Sequence, residues 1–399
     1  MPSPLDWPSK LAARAAAGDG GDIAAILALS DAGDVITFSG GFPAPETFPT
    51  EVLRELADEV LRGPSAAGAL QYTPTEGNPG VRQAVAELIQ QAQGRRPDPA
   101  GVLVTSGGME GLSLLGRILL DPGDLALVEA PTYLGAILAF RGLQARVEGV
   151  DVDDDGLIVE QLEARLAAGE RPKLLYVIPD YSNPTGLTLS AERRTALVEV
   201  CRRYGVLIVE DVAYRDLGFD GSAQPSLWSL GPDIVLQLGT FSKIFFPAAR
   251  LGWAVGPGPI VAAMTSAKQS SDQCAGGFGQ RLLEGYLLGG HLDRHLKASR
   301  SLYATRAASM LAGLERHLTG VATWTRPRGG FFVWLTVPGA DTRALAGEAV
   351  RRGVAYVPGA PFYSDGRGRN QLRLSYSRIT DGEIDEGLSR LAGLLSTAP

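Results

Sequence analysis

Between residues 102 and 256, short runs of nearly unbroken apolar residues alternate with stretches of helical periodicity, and this alternation limits the possible folds more than any other feature of the chain. VLVTS (102–106), LALVEA (125–130), LLYVIPD (174–180), VLIVEDVA (206–213), IVLQLGTF (234–241) and GWAVG (252–256) read as strands. Continuous apolarity, rather than alternation with polar residues, marks strands covered on both faces. Stretches 109–120, 158–168 and 190–204 are helix-compatible, with Ser190 expected as an N-cap and Gly205 as a stop. The pattern predicts an α/β unit built on a mainly parallel sheet.

After about residue 280 the texture changes. Apolar residues recur at helical spacing over 291–318, followed by the strand-like runs FFVWLTV (331–337), VAYVP (354–358) and LRLSY (372–376). The expected division is an N-terminal arm and helix over 1–44 that packs with the smaller unit, a large domain over 45–285 and a small α+β domain over 286–399. A chain of 399 residues, 45% hydrophobic and 20% charged, has material for a core of that size. Its net charge of −7 argues against nucleic acid or an anionic membrane as the main partner. Two cysteines cannot form a disulfide framework, the opening MPSPLDWPSK lacks the pattern of a signal peptide, and no apolar stretch is long enough to cross a membrane. A cytoplasmic location is therefore expected. His291, His295 and His317 fall in one charged helical region, which argues against a histidine-based metal site, and no metal is expected.

Four groups of residues fall at strand ends or in the turns after them, where open α/β sheets bind ligands. SGGMEG (106–111) follows a strand and opens a helix, so backbone N–H groups and the helix N-terminus can meet an anion, although many such turns are only turns. SNPTG (182–186) sets Asn183 in a rigid turn. EDVAY (210–214) places Asp211 at the rim of a buried sheet, where a carboxylate needs a cation, a donor or a capping role. In TFSKIFFPAARLGW (240–253), Lys243 has apolar neighbours and no charged company until Arg250. Such a lysine either snorkels to the surface or is held as an amine nucleophile able to form a Schiff base.

Taken in order, these groups suggest a phosphorylated carbonyl cofactor. N-P-T-G, D-x-x-Y and S-K-x(6)-R, with GGFPAPETFP (40–49), QYTPTEGNPGVR (71–82), EAPTYLGA (129–136), RPRGGFFVW (326–334) and VPGAPFY (357–363), resemble the class I/II aminotransferases, fold-type I pyridoxal-phosphate enzymes, and within them the 2-aminoadipate/kynurenine aminotransferase branch. The resemblance implies a large cofactor-binding domain with a mainly parallel sheet of the seven-stranded type, pyridoxal 5′-phosphate as cofactor, and a homodimer. It makes Lys243 the Schiff-base lysine and proton shuttle, Asp211 the partner of the pyridine nitrogen, and Asn183 and Tyr214 donors to the ring phenolic oxygen, with Tyr133 stacked on the ring. Gly107, Gly108, Met109, Thr240, Ser242 and Arg250 match phosphate-binding positions, and Tyr72 matches one supplied across the subunit interface. Arg373 would fork onto the substrate α-carboxylate, with Gly41 and Asn183 beside it.

Two departures bear on substrate. Gly108 stands where many relatives carry a hydroxyl residue, so one phosphate contact is expected from backbone alone. The N-terminal helix expected over 21–33 has Ala24 and Ala25 where dicarboxylate-preferring relatives carry an arginine, and no Lys or Arg lies between Arg14 and Arg54. That points away from acidic donors and toward an apolar or aromatic side chain near Ile23, Ile26, Leu27 and Phe42, or a basic one near Asp19 and Asp22. Ordinary amphipathic packing explains the helix nearly as well. An acceptor such as 2-oxoglutarate would then need a further arginine, with Arg328 and Arg378 as candidates. The expected activity is amino transfer between an L-amino acid and a 2-oxo acid. The alternatives are another pyridoxal-phosphate reaction (elimination, decarboxylation, or an oxidative or cyclising step) and a regulator-type cofactor-binding domain.

Overall fold

A computed structural model describes residues 6–12, 14–17, 35–64 and 66–396; the helix expected over 21–33 lies outside them. In chain order the strands are β1 (Ile36–Thr37), β2 (Leu103–Thr105), β3 (Leu125–Ala130), β4 (Arg146–Asp153), β5 (Gly156–Leu157), β6 (Leu174–Val177), β7 (Leu207–Asp211), β8 (Val235–Thr240) and β9 (Gly252–Val255). Then come β10 (Thr323–Trp324), β11 (Phe332–Thr336), β12 (Val354–Ala355), β13 (Val357–Pro358) and β14 (Gln371–Ser375).

The large sheet has the order β2-β9-β8-β7-β6-β3-β4-β5. Strands β4, β3, β6, β7 and β8 are paired in parallel, while β9 runs antiparallel to both β2 and β8. Every residue of β3 and β6 is buried, as their continuous apolarity requires. The sheet exceeds the expected seven strands by β5, two residues turned back antiparallel on the edge strand β4. Ser190 caps the helix Ala191–Tyr204 through its hydroxyl, and Gly205 ends it in the left-handed region at φ 70°.

The second sheet, β10-β11-β14-β13, is antiparallel throughout. The 354–358 run, expected as one strand, is divided between two sheets: β13 joins β14, while β12 pairs in parallel with β1. The helix His291–Leu318 packs on the helix Asp381–Leu395, where a Cβ at Gly313 would come within 2.6 Å of Leu388 Cδ1. One continuous apolar core runs through both sheets. A small satellite cluster of Ala130, Leu134, Trp334, Val357, Phe362 and Tyr363 joins the end of β3 to the smaller sheet.

This topology carries the chemistry-bearing residues to one place. Because β6, β7 and β8 are parallel, the segments after them emerge on the same side of the sheet, bringing Asn183, Asp211 and the Thr240–Lys243 turn together. The β1–β12 pair feeds residues 38–41 past β14, where Phe38 O accepts from Ser375 N, and so sets Gly41 over Lys243 and Ser39 beside Arg373.

Candidate active site

A cavity of about 580 Å³ opens at this meeting point. Of the residues singled out in the sequence, Gly41, Phe42, Gly108, Met109, Tyr133, Asn183, Asp211, Tyr214, Thr240, Ser242, Lys243, Arg250 and Arg373 line it. Gly107 does not line it, but a Cβ there would come within 2.6 Å of the lining residue Arg250. Tyr72 does not reach the cavity of its own chain and is 76% exposed. Arg328 is also elsewhere, its charge falling on Tyr181 and Asp220.

Lys243 closes a single 3-10 turn, Phe241–Lys243, that β8 enters through Thr240, whose hydroxyl accepts from Ser242 N at 3.2 Å. The turn sends the lysine into the cavity, where Nζ donates to Gly41 O at 2.8 Å. Desolvation, with the nearby charges of Arg373 and Arg250, brings its pKa down to about 8, against the pull of Asp211. Asp211, at the end of β7, accepts from Tyr176 Oη at 2.7 Å and from Ala213 N at 3.0 Å. Desolvation still raises its carboxyl above the usual range, so an added cationic or protonated partner would stabilise its ionised form.

Arg373 comes from β14, between Phe332 and Phe362 at 4.3 and 5.1 Å from the ring centroids. Nη1 donates to Asn183 Oδ1 at 2.9 Å and Nη2 to Ser39 O at 2.6 Å. Nε is buried with no hydrogen-bond partner, so one donor of the guanidinium is unmet. Burial pushes this guanidinium down to about 10, which favours a site that delivers an anion. Tyr214 is fixed edge-on between Phe331 and Phe332, and burial raises its phenol. Tyr133 donates to Met109 Sδ at 3.5 Å.

At the other end of the cavity the chain leaves β2 through Ser106 and Gly107 into the helix Gly108–Leu119. Gly107 has φ 94°, and a Cβ there would meet Arg250 Nη2 at 2.6 Å, so the turn and the guanidinium are in close contact. Arg250 Nη1 lies 3.4 Å from Ser242 Oγ, and Thr240 Oγ1 3.0 Å from the same oxygen. Backbone N–H groups at a helix start, two hydroxyls and an arginine form an anion cradle. It stands in one cavity with an amine of lowered pKa, a carboxyl short of a cation and an arginine with an unmet donor. The donor set fits pyridoxal 5′-phosphate, for which the cradle would take the phosphate, Asp211 the ring nitrogen and Lys243 the carbonyl.

Sequence reasoning did not single out Leu112, Leu134, Ile178, Ala213, Pro247 or Phe362, which also line the cavity. Phe362 lies in VPGAPFY and Leu134 directly follows Tyr133, so the quoted motifs contained both. Tyr176 was missed because it is one of several apolar-looking residues in a strand buried on both faces.

A fold of this topology with these groups at the strand ends defines a fold-type I pyridoxal-phosphate enzyme. More narrowly, the chain belongs to the aminotransferase class I and II family, whose model matches residues 34–391. It is 37% identical to the aromatic-amino-acid aminotransferase 1 of Thermococcus litoralis, covering 97% of this chain and 94% of that one. It is 38% identical to the 2-aminoadipate transaminase of Thermus thermophilus, with 98% of each chain covered. Among solved structures, a kynurenine aminotransferase of Pyrococcus horikoshii in complex with PMP superposes with a TM-score of 0.94 at 36% identity, again over 98% of both chains. The protein is a pyridoxal-phosphate-dependent aminotransferase.

Proposed function

We propose that this aminotransferase takes its amino group from L-amino acids with apolar or aromatic side chains and passes it to a 2-oxo acid such as 2-oxoglutarate. One observation carries the donor class. Apart from Asp211, no acidic side chain among the described residues lines the cavity, whereas Phe42, Met109, Leu112, Leu134, Ile178 and Phe362 do. A cationic side chain would lose hydration there without a counter-charge, while an apolar one gains roughly 25 cal/mol per Å² buried. The name of the Thermococcus litoralis relative supports the same reading.

Bound pyridoxal 5′-phosphate supplies a carbonyl that accepts the amino group and a ring that withdraws electrons from Cα. The chain's own residues do the rest. Lys243 Nζ, an amine for part of the time at neutral pH, removes and returns the proton at the substrate Cα. Asp211, ionised against the cofactor's nitrogen and steadied by Tyr176, keeps a proton there. Asn183 and Tyr214 hold the ring's phenolic oxygen, and Tyr133 covers one ring face. Gly107, Gly108, Met109, Thr240, Ser242 and Arg250 hold the phosphate. Arg373 orients the α-carboxylate, helped by Asn183 and the Gly41 backbone, and fixes which Cα bond is activated.

Arg378 is the candidate for the acceptor's distal carboxylate. It does not itself line the cavity, but it is exposed, lies 5.7 Å from the ring centroid of Phe42, which does, and pairs with no acid among the described residues. The division into 1–44, 45–285 and 286–399, a homodimer in which Tyr72 completes the partner's site, and a cytoplasmic location belong to the same proposal; the two unbonded cysteines support the last.

Two substitutions test it. Arg378→Ala should raise KM for 2-oxoglutarate about tenfold while leaving a monocarboxylic 2-oxo acid unaffected. Arg373→Ala should raise KM for every donor by about a hundredfold, since all share the α-carboxylate. An Arg373 effect confined to one donor class would contradict its assignment.

A further inference from the structure

Behind the anion cradle, outside the cavity, the helix Gly258–Gln269 buries a complete lysine. The Lys268 side chain is 0% exposed, and its Nζ stands 2.9 and 2.7 Å from the Glu110 oxygens and 2.8 Å from both Asp272 oxygens. A buried ammonium is a poor way to fill space, because an apolar side chain of similar volume is at least as stabilising. What this arrangement provides that packing alone does not is a defined direction for two carboxylates.

Both carboxylates turn on one residue. Glu110 Oε2 accepts from Ser106 N at 2.5 Å, and Asp272 Oδ2 accepts from Ser106 Oγ at 2.5 Å. The Ser106 carbonyl in turn faces Arg250 Nη2 at 3.4 Å. Ser106 is thus held at its amide, its hydroxyl and its carbonyl, and the next residue is Gly107 with φ 94°. Glu110 lies on the helix that the cradle opens, Lys268 on a second helix and Asp272 in the segment after it. Among the described residues, Lys268 is the single cation that joins them.

We infer that Lys268, acting through Glu110, Asp272 and Ser106, is a positioning residue for the cofactor-phosphate cradle. It touches neither substrate nor the cavity. It fixes the backbone from which the Gly107 turn and the following N–H groups present themselves to a phosphate. The inference rests on the proposed assignment of that turn and Arg250 to the cofactor's phosphate.

The test compares binding of pyridoxal 5′-phosphate and of pyridoxal, which shares the aldehyde and ring but lacks the phosphate, to the cofactor-free protein. Ser106→Ala removes only the hydroxyl link. It should raise the Kd for pyridoxal 5′-phosphate roughly tenfold while leaving that for pyridoxal unchanged. Lys268→Met should do the same to a larger degree. If Lys268→Met does not fold, Ser106→Ala, with its Tm checked against the parent, decides alone. An unchanged preference for the phosphorylated compound in Ser106→Ala overturns the inference, as does an equal loss of both ligands. Arg250→Met separates the two levels. If it also leaves the preference intact, the phosphate assignment itself fails. If it abolishes the preference while Ser106→Ala and Lys268→Met retain it, only the role of Lys268 is refuted.

Discussion

Lys243 has one hydrogen-bond acceptor, the Gly41 carbonyl, and two arginines near enough to oppose its charge. A solvated lysine titrates near 10.4, so a value of about 8 leaves a usable fraction of free amine at neutral pH. The sign follows directly: the proton must leave before the amine can attack, so capture of pyridoxal 5′-phosphate by the cofactor-free protein should accelerate as pH rises toward about 8 and level off above it. Stopped-flow absorbance across pH 6–10 measures this, with Lys243→Met as a blank that captures nothing. A rate that is flat, or that falls over pH 6–8, would mean that the amine is not poised as described. At this scale the sequence was partly legible. Lys243, Asp211 and Asn183 stood out because charged or amide groups interrupt apolar or turn sequence, whereas Arg373 was marked only by the family resemblance. The residues that orient them did not: Tyr176 lies inside an apolar run, and Lys268 reads as a surface charge on an ordinary helix until its surroundings are seen.

The element that most shapes the site is the turn from β2 into the helix Gly108–Leu119. Its two glycines have different reasons to be glycine. Gly107 is bound by both backbone conformation and contact, whereas a Cβ at Gly108 would meet only Thr240 Cβ, at 3.8 Å. Gly107→Ala should therefore weaken cofactor binding about tenfold, through strain at φ 94° and displacement of the Arg250 guanidinium. Gly108→Ser should leave it intact, with room for one more hydroxyl. Equilibrium titration of both variants distinguishes these outcomes; equal losses would contradict the assignment of strain to Gly107. The strands that frame the turn were legible because burial on both faces leaves them almost wholly apolar. β4 was not, since RVEGVDVD lies near the sheet edge and alternates with charge. The 354–358 run concealed a change of partner: its five residues look like one strand, yet β12 and β13 belong to different sheets. Local pattern records burial, not which neighbour provides it.

For the whole molecule, the cavity is assembled from both sheets and from Gly41 and Phe42, so most of its walls are set by tertiary structure rather than by any one motif. Leu70 and Tyr72 are left 69% and 76% exposed, more apolar surface than neighbouring positions on a lone chain need to show. A homodimer would cover them and carry Tyr72 to the partner's cofactor. Light scattering should then give twice the chain mass of 42.0 kDa, and Tyr72→Ala should weaken cofactor binding without changing that mass. A fully active monomer would contradict both.

The most direct test of the account mixes the holoenzyme with single L-amino acids of apolar, aromatic, basic and acidic type and follows its visible absorbance through one half-reaction. The cavity described here predicts conversion of the cofactor to pyridoxamine phosphate with release of the matching 2-oxo acid, fastest for aromatic or apolar donors. Fastest conversion by lysine, arginine or glutamate would contradict the apolar donor site. Release of ammonia without pyridoxamine phosphate would contradict amino transfer itself.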